Sequence, residues 1–88
     1  MNEHSHHSHP EIIKRLRRVE GQVRSIATMI EEGRSCLEVA QQLAAATSAL
    51  ASAKDNFIRD HIDHCLNGTG ASGVRNQLTE LKAITKFL

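Results

Sequence analysis

Residues 36–65 have the sequence CLEVAQQLAAATSALASAKDNFIRDHIDHC, the longest uninterrupted helical pattern in the chain. It contains neither glycine nor proline, and its many alanine and leucine residues are typical of helices. Apolar side chains recur along it in steps of three and four, at Val39, Leu43, Ala46, Leu50, Ala53 and Phe57. Ser35 and Glu38 form a capping-box pattern at its start. The pattern predicts one long second helix between Arg34 and Asn67.

Shorter helices flank this stretch on both sides. A heptad stripe predicts a first helix over about residues 10–32, with Pro10 in its first turn and Gly33 ending it. The stripe consists of Ile12, Leu16, Val19, Val23, Ile26 and Ile30. The breaker NGTG at residues 67–70 precedes a third predicted helix near 71–87. Because the second helix is longer than its neighbours, its apolar seam needs a second chain, and we expect an antiparallel helix-bundle dimer.

Composition and charge exclude several classes of protein. A net charge of +1 excludes a uniformly basic, histone-like chain. No apolar run approaches the roughly 20 residues that span a bilayer, and MNEHSHHSHPE lacks the apolar centre of a signal peptide. We therefore expect a cytoplasmic protein with reduced thiols and no membrane partner. A flexible His-rich arm over residues 1–8 is predicted to precede one helical domain over residues 9–88.

His61 and Cys65 are four residues apart, so they share one face of the second helix and continue its apolar stripe from Phe57. One interpretation is a buried core histidine beside a small thiol. The other is a pair of metal ligands, which Cys36 on the same seam favours. Helical rise separates Cys36 from His61 by roughly 37 Å, too far to share an ion within one chain. Two antiparallel chains would form two equivalent sites, each with two thiolates and an imidazole suited to Cu(I), Zn(II) or Ni(II).

Further histidines surround these residues. The arm carries His4, His6, His7 and His9, and one of them is a candidate fourth ligand; a solvated metal-buffering tail or a cloning remnant are the alternatives. His64 lies one position off the face of His61 and Cys65, which favours a surface or ligand-supporting role over direct ligation.

Basic residues cluster in the first helix, and no helix-turn-helix or zinc finger is visible. The candidate DNA contacts are Lys14, Arg15, Arg17, Arg18 and Arg24, extended by Lys54 and Arg59 on the second helix. A solvated helix face is the alternative interpretation. A metal-storage or trafficking module without DNA binding is a different class that the same ligands allow. An enzyme is not expected, because a fully protein-ligated ion leaves no position for an organic substrate.

The segments RLRRVEGQVRSIATMIEEGRSC, QQLAAATSAL and DHIDHCL resemble the CsoR/RcnR family of bacterial metal-responsive repressors over about residues 9–87. The resemblance implies three helices, an antiparallel four-helix dimer core and usually a dimer of dimers. It also implies that the metal-free form binds double-stranded operator DNA and that metal releases it, which derepresses metal efflux or resistance genes.

The family's three principal ligand positions match Cys36, His61 and Cys65. In its nickel- and cobalt-sensing branch a further ligand lies 32 residues before the cysteine, which corresponds to His4. Glu80 matches an acidic residue that supports the ligands in copper sensors, but Ser35 replaces their usual tyrosine. The resemblance thus favours Ni(II), with Co(II), over Cu(I), and leaves zinc or thiol chemistry as minor alternatives. Formaldehyde sensors have proline where this chain has Asn2, and persulfide sensors lack the histidine at position 61.

Overall fold

The computed structural model describes residues 8–67 and 74–88, with the side chains of 64–67 and 74–77 excluded. Its helices are α1 (His9–Glu31), α2 (Cys36–Asn67) and α3 (Val74–Ile84), and a 3-10 turn, Thr85–Phe87, follows α3. Over these two ranges there is no strand, so the predicted all-α, three-helix fold is confirmed. The arm up to residue 7 and the predicted start of the third helix at 71–73 lie outside the described residues.

A glycine ends α1 as the sequence predicts. Gly33 has a φ of +74°, in the left-handed region that favours glycine. Its amide donates to the Ile30 carbonyl at 3.1 Å, and the Arg34 amide donates to the Met29 carbonyl at 3.0 Å. These two bonds form a Schellman motif, which satisfies the last carbonyls of the helix and turns the chain back on itself.

The cap of α2 is half of the predicted capping box. The Glu38 amide donates to the Ser35 hydroxyl oxygen at 3.1 Å, which satisfies one amide of the first turn. The Glu38 carboxylate accepts instead from Arg34 Nε at 3.1 Å, so the side chain does not return to the cap. The turn between α1 and α2 is thus held on both sides, and the two helices form an antiparallel hairpin.

The hairpin buries part of the predicted stripes and exposes another part. The buried side chains are Ile12, Val19 and Ile26 of α1 and Ala46 and Ala53 of α2, together with Ile58, which the predicted stripe did not include. Val39, which the stripe did include, is half-buried. The intervening heptad positions remain 41–59% exposed: Leu16, Val23 and Ile30 on α1, and Leu43, Leu50 and Phe57 on α2. We call these six residues the apolar seam. Isolated apolar residues are normal on a surface, but a seam of six along two helices marks an interaction face.

The overall shape agrees with an open layer of helices. The principal extents are 58 × 27 × 15 Å and the radius of gyration is 17.5 Å. A compact domain of this length has a radius of gyration of about 12 Å. Among the described helices, none combines the length and apolarity that a bilayer crossing requires.

Candidate metal centre

Cys36 is the first residue of α2, directly after the Ser35 cap. Its thiol is exposed and forms no disulfide. Cys36 lies seven residues before Leu43, so it continues the heptad spacing of the apolar seam toward the start of α2. A thiol therefore lies at this end of the hairpin, in line with the apolar seam.

His61 lies near the other end of α2, and α3 packs against it. Its side chain is only 13% exposed, and its Nε2 atom lies 3.4 Å from Glu80 Oε1 of α3. A carboxylate on one ring nitrogen fixes the orientation of a histidine and raises the basicity of the other nitrogen. The contact thus ties His61 of α2 to α3 and holds its ring in one orientation.

The remaining predicted ligands are described only in part. The backbone of Cys65 belongs to α2, four residues and hence about one turn after His61. The side chains of Cys65 and His64, and all of His4, lie outside the described residues.

The ligand positions do not meet within one chain. Because α2 runs without interruption from Cys36 to Asn67, the rise of about 1.5 Å per residue keeps Cys36 and His61 roughly 37 Å apart. In the described part of the chain, no three His, Cys, Asp or Glu residues are grouped so that they could hold an ion. Any site that uses both ends of α2 must therefore involve a second chain.

An aromatic stack joins the start of α1 to α2 beside His61. The rings of His9 and Phe57 are 5.3 Å apart between centroids, with an interplanar angle of 11°. Phe57 precedes His61 by four residues, about one helical turn. The N-terminal arm consequently leaves α1 at the end of the hairpin that carries His61. The sequence contains both aromatic rings, but the stack depends on the register of α1 against α2, which no local pattern specifies.

The predicted DNA-contacting residues are all exposed: Lys14, Arg15, Arg17, Arg18, Arg24, Lys54 and Arg59. Three of them contact acidic neighbours on their own helix at 3.7–3.9 Å, namely Lys14 with Glu11, Arg17 with Glu20 and Arg59 with Asp55. Such exposed pairs are weak and readily exchange for another anion.

The two helices also bring basic residues together across the hairpin. Arg15 of α1 and Arg59 of α2 line one open cavity of about 330 Å³. Asp60 and Asp63, which lie on either side of His61 in the sequence, line the same cavity. Two predicted DNA-contacting arginines and the three carboxylates of Glu11, Asp60 and Asp63 therefore line one cavity at the end of the hairpin that carries His61.

Known proteins match this chain over most of its length. Residues 8–87 match the family model described as metal-sensitive transcriptional repressor. The chain is 48% identical over 73 residues to the copper-sensing transcriptional repressor RicR of Mycobacterium tuberculosis, covering 80% of this chain and 76% of RicR. It is 32% identical over 91 aligned positions to the copper-sensing transcriptional repressor CsoR of Bacillus subtilis, covering 98% and 90% of the two chains.

A solved structure extends the likeness to three dimensions. The nickel-responsive transcriptional regulator InrS superposes with a TM-score of 0.77 at 36% identity, covering 99% of this chain and 100% of InrS. The family consists of transcriptional repressors and not of enzymes. The chain belongs to this family of metal-sensitive transcriptional repressors, as its sequence predicts.

Proposed function

We propose that this chain represses transcription by binding operator DNA in its metal-free form, and that Ni(II), with Co(II) as a related ion, releases it. Release would derepress genes for metal efflux or resistance. The protein would act in the cytoplasm, where its thiols stay reduced. The proposed ligands are Cys36 of one subunit and His61, Cys65 and His4 of another.

One observation carries the shared site: α2 holds candidate ligands at its two ends and an apolar seam between them. A two-fold axis that pairs two α2 helices antiparallel would cover both seams. The same operation would bring Cys36 of each subunit to His61 and Cys65 of the other. The dimer would then be an antiparallel four-helix bundle with two equivalent sites, and two dimers would form the tetramer usual for the family.

The geometry of the α1 start supports a fourth ligand from the arm. His4 precedes His9 by five residues, and an extended chain of that length reaches about 17 Å. His9 stacks on Phe57, which is only about 6 Å along the α2 axis from His61. His4 of a subunit can therefore reach the His61 of that same subunit. Two thiolates and two imidazoles suit the square-planar geometry that Ni(II) favours, and InrS is a nickel-responsive relative.

Cu(I) is the second candidate ion, and specific observations favour it. RicR and CsoR are both copper-sensing, and RicR has the higher identity to this chain. Two thiolates and one imidazole form a three-ligand set that suits Cu(I) without the arm. The contact between Glu80 and His61 corresponds to the carboxylate support expected in copper sensors. Zn(II) would bind the same atoms but needs a fourth ligand to complete a tetrahedron.

Metal would release the protein from DNA because the metal site and the DNA-binding surface are thermodynamically coupled. An ion that joins two subunits at the ends of the bundle favours one arrangement of the helices, and DNA favours another. The coupling is reciprocal, so operator DNA would weaken metal binding by the same factor by which metal weakens DNA binding. Binding releases protons from the cysteine thiols, so metal affinity would rise with pH.

The test is a fluorescence-anisotropy titration of an operator duplex selected from a random library by the metal-free protein. Ni(II), Co(II), Cu(I) and Zn(II) are added in turn to wild type, to His4→Ala and to the matched arm variant His6→Ala. The nickel sensor is supported if Ni(II) releases wild type and His6→Ala from DNA but does not release His4→Ala, while the responses to the other metals are the same in all three proteins. Cu(I) release that persists in all three proteins, with none by Ni(II), supports the copper sensor. If no metal changes DNA affinity, the sensor mechanism is wrong, and metal binding without any DNA affinity would indicate a storage or trafficking protein.

A further inference from the structure

Gly21 stands in the middle of α1, where the described residues give no packing reason for a glycine. Its φ is not positive, unlike that of Gly33, so an L-residue could adopt its backbone conformation. A Cβ atom built on Gly21 would meet no atom within 4 Å, so no packing contact among the described residues requires its absence. Glycine in a helix interior is unfavourable relative to alanine. Something outside the described chain must account for this residue.

Gly21 faces away from α2. It follows the buried Val19 by two residues, which is about 200° around a helix with 3.6 residues per turn. It is therefore nearly opposite the buried face, and also away from the apolar seam that would meet a second subunit. A partner reaching Gly21 must approach the outer face of α1.

The residues around Gly21 on that outer face are basic. Arg17 and Arg18 lie one turn before it and Arg24 lies one turn after it, at the spacings that make neighbours on a helix surface. All three are exposed. The acid nearest in sequence, Glu20, already contacts Arg17 at 3.8 Å. Gly21 is itself half-buried, and it lacks a side chain where the neighbours one turn away are mostly arginines.

We infer that Gly21 is a close-approach point for the sugar–phosphate backbone of DNA, an inference that rests on the proposed function. A phosphate can approach the bare α1 backbone here, while Arg18 and Arg24 extend past it on both sides. A Cβ atom at this position would hold the DNA strand away and lengthen the contacts of both guanidinium groups. Backbone contacts of this kind position a protein on DNA and carry no sequence information.

The test uses Gly21→Ala and Gly21→Leu, with Thr28→Leu as the matched control. Thr28 is seven residues further along α1, on the same exposed face but beyond Arg24. The measurements are thermal unfolding of the metal-free protein and anisotropy titration of the selected operator duplex.

We expect Gly21→Ala to raise Tm by about 4 °C, since it removes a helix-destabilising glycine. We expect it to weaken operator binding about tenfold, and Gly21→Leu to weaken it more. The control should stay within about twofold of wild type.

Opposite signs in the two assays separate this role from a folding defect. Operator affinity of Gly21→Ala equal to that of wild type would overturn the inference and leave the proposed function intact. An equal loss in Thr28→Leu and Gly21→Leu would also overturn it, because bulk anywhere on the face would then suffice. If sedimentation shows that Gly21→Ala or Gly21→Leu changes the mass of the assembly, Gly21 belongs to a contact between copies of the chain instead. If wild type binds the operator but metal does not release it, only the sensor mechanism is refuted. If wild type does not bind the operator at all, both the proposed function and the inference about Gly21 are overturned.

Discussion

Replacing Leu50 by alanine tests whether the apolar seam is the dimer interface. Leu50 is 50% exposed in the single chain, at the centre of the α2 half of the seam. Full burial of a leucine side chain contributes about 1.5–3 kcal/mol, so covering its exposed half is worth about 1 kcal/mol. Two-fold symmetry places Leu50 in the interface twice, which gives about 2 kcal/mol for the dimer. We therefore expect Leu50→Ala to weaken dimerisation about 30-fold.

Sedimentation equilibrium over a range of concentrations measures this change directly. The matched control is Leu37→Ala, since Leu37 is more exposed than Leu50, at 69%, but does not belong to the apolar seam. Leu37 precedes Leu50 by 13 residues, which places it about 140° away from Leu50 around α2. The control should leave the dissociation constant within about twofold of wild type. If Leu50→Ala and Leu37→Ala weaken dimerisation equally, the apolar seam does not hold the dimer together.

Three further changes have defined outcomes. Glu80→Gln removes the carboxylate that orients His61, and metal affinity in a chelator-competition titration should fall by about 10–100-fold; an unchanged affinity would mean that the contact is incidental. Ser35→Ala removes the cap on the Glu38 amide and should cost about 1 kcal/mol, seen as a Tm lowered by about 4–8 °C in the metal-free protein; an unchanged Tm would show that the cap is not stabilising. Arg18→Ala should reduce the slope of operator affinity against salt concentration, on logarithmic scales, by about one unit for each phosphate that a copy of Arg18 in the assembly neutralises. An unchanged slope would remove Arg18 from the DNA surface.

The helices could be predicted from the sequence because local signals determine them. Gly33 ends α1 through a left-handed conformation and Ser35 caps α2, both of which depend only on neighbouring residues. The heptad stripes correctly predicted which residues are apolar at helical spacing. They could not divide each stripe between α1–α2 packing and the exposed seam, since that division depends on how the two helices are rotated against each other.

The candidate site was predictable in part for the same reason. The spacing of His61 and Cys65, and their distance along α2 from Cys36, follow from helix geometry alone. The contact between His61 and Glu80 depends on how α3 returns onto α2, and the stack of His9 on Phe57 depends on the hairpin register. No local pattern encodes such long-range contacts. The resemblance to copper sensors suggested a supporting role for Glu80 but could not supply the atoms involved.

Each proposed metal site combines residues of two subunits, and a mixture of two defective variants can reveal this arrangement. Cys36→Ala and His61→Ala each remove one ligand from both sites of a homodimer, so each protein alone should bind Ni(II) weakly. After co-refolding of equal amounts, half of the dimers are mixed, and one of their two sites has a complete ligand set. We expect recovery of about a quarter of the wild-type tight sites, measured by chelator competition and by the thiolate–metal absorption band. If the mixture binds no more tightly than its separate components, the site does not combine Cys36 of one subunit with His61 of another.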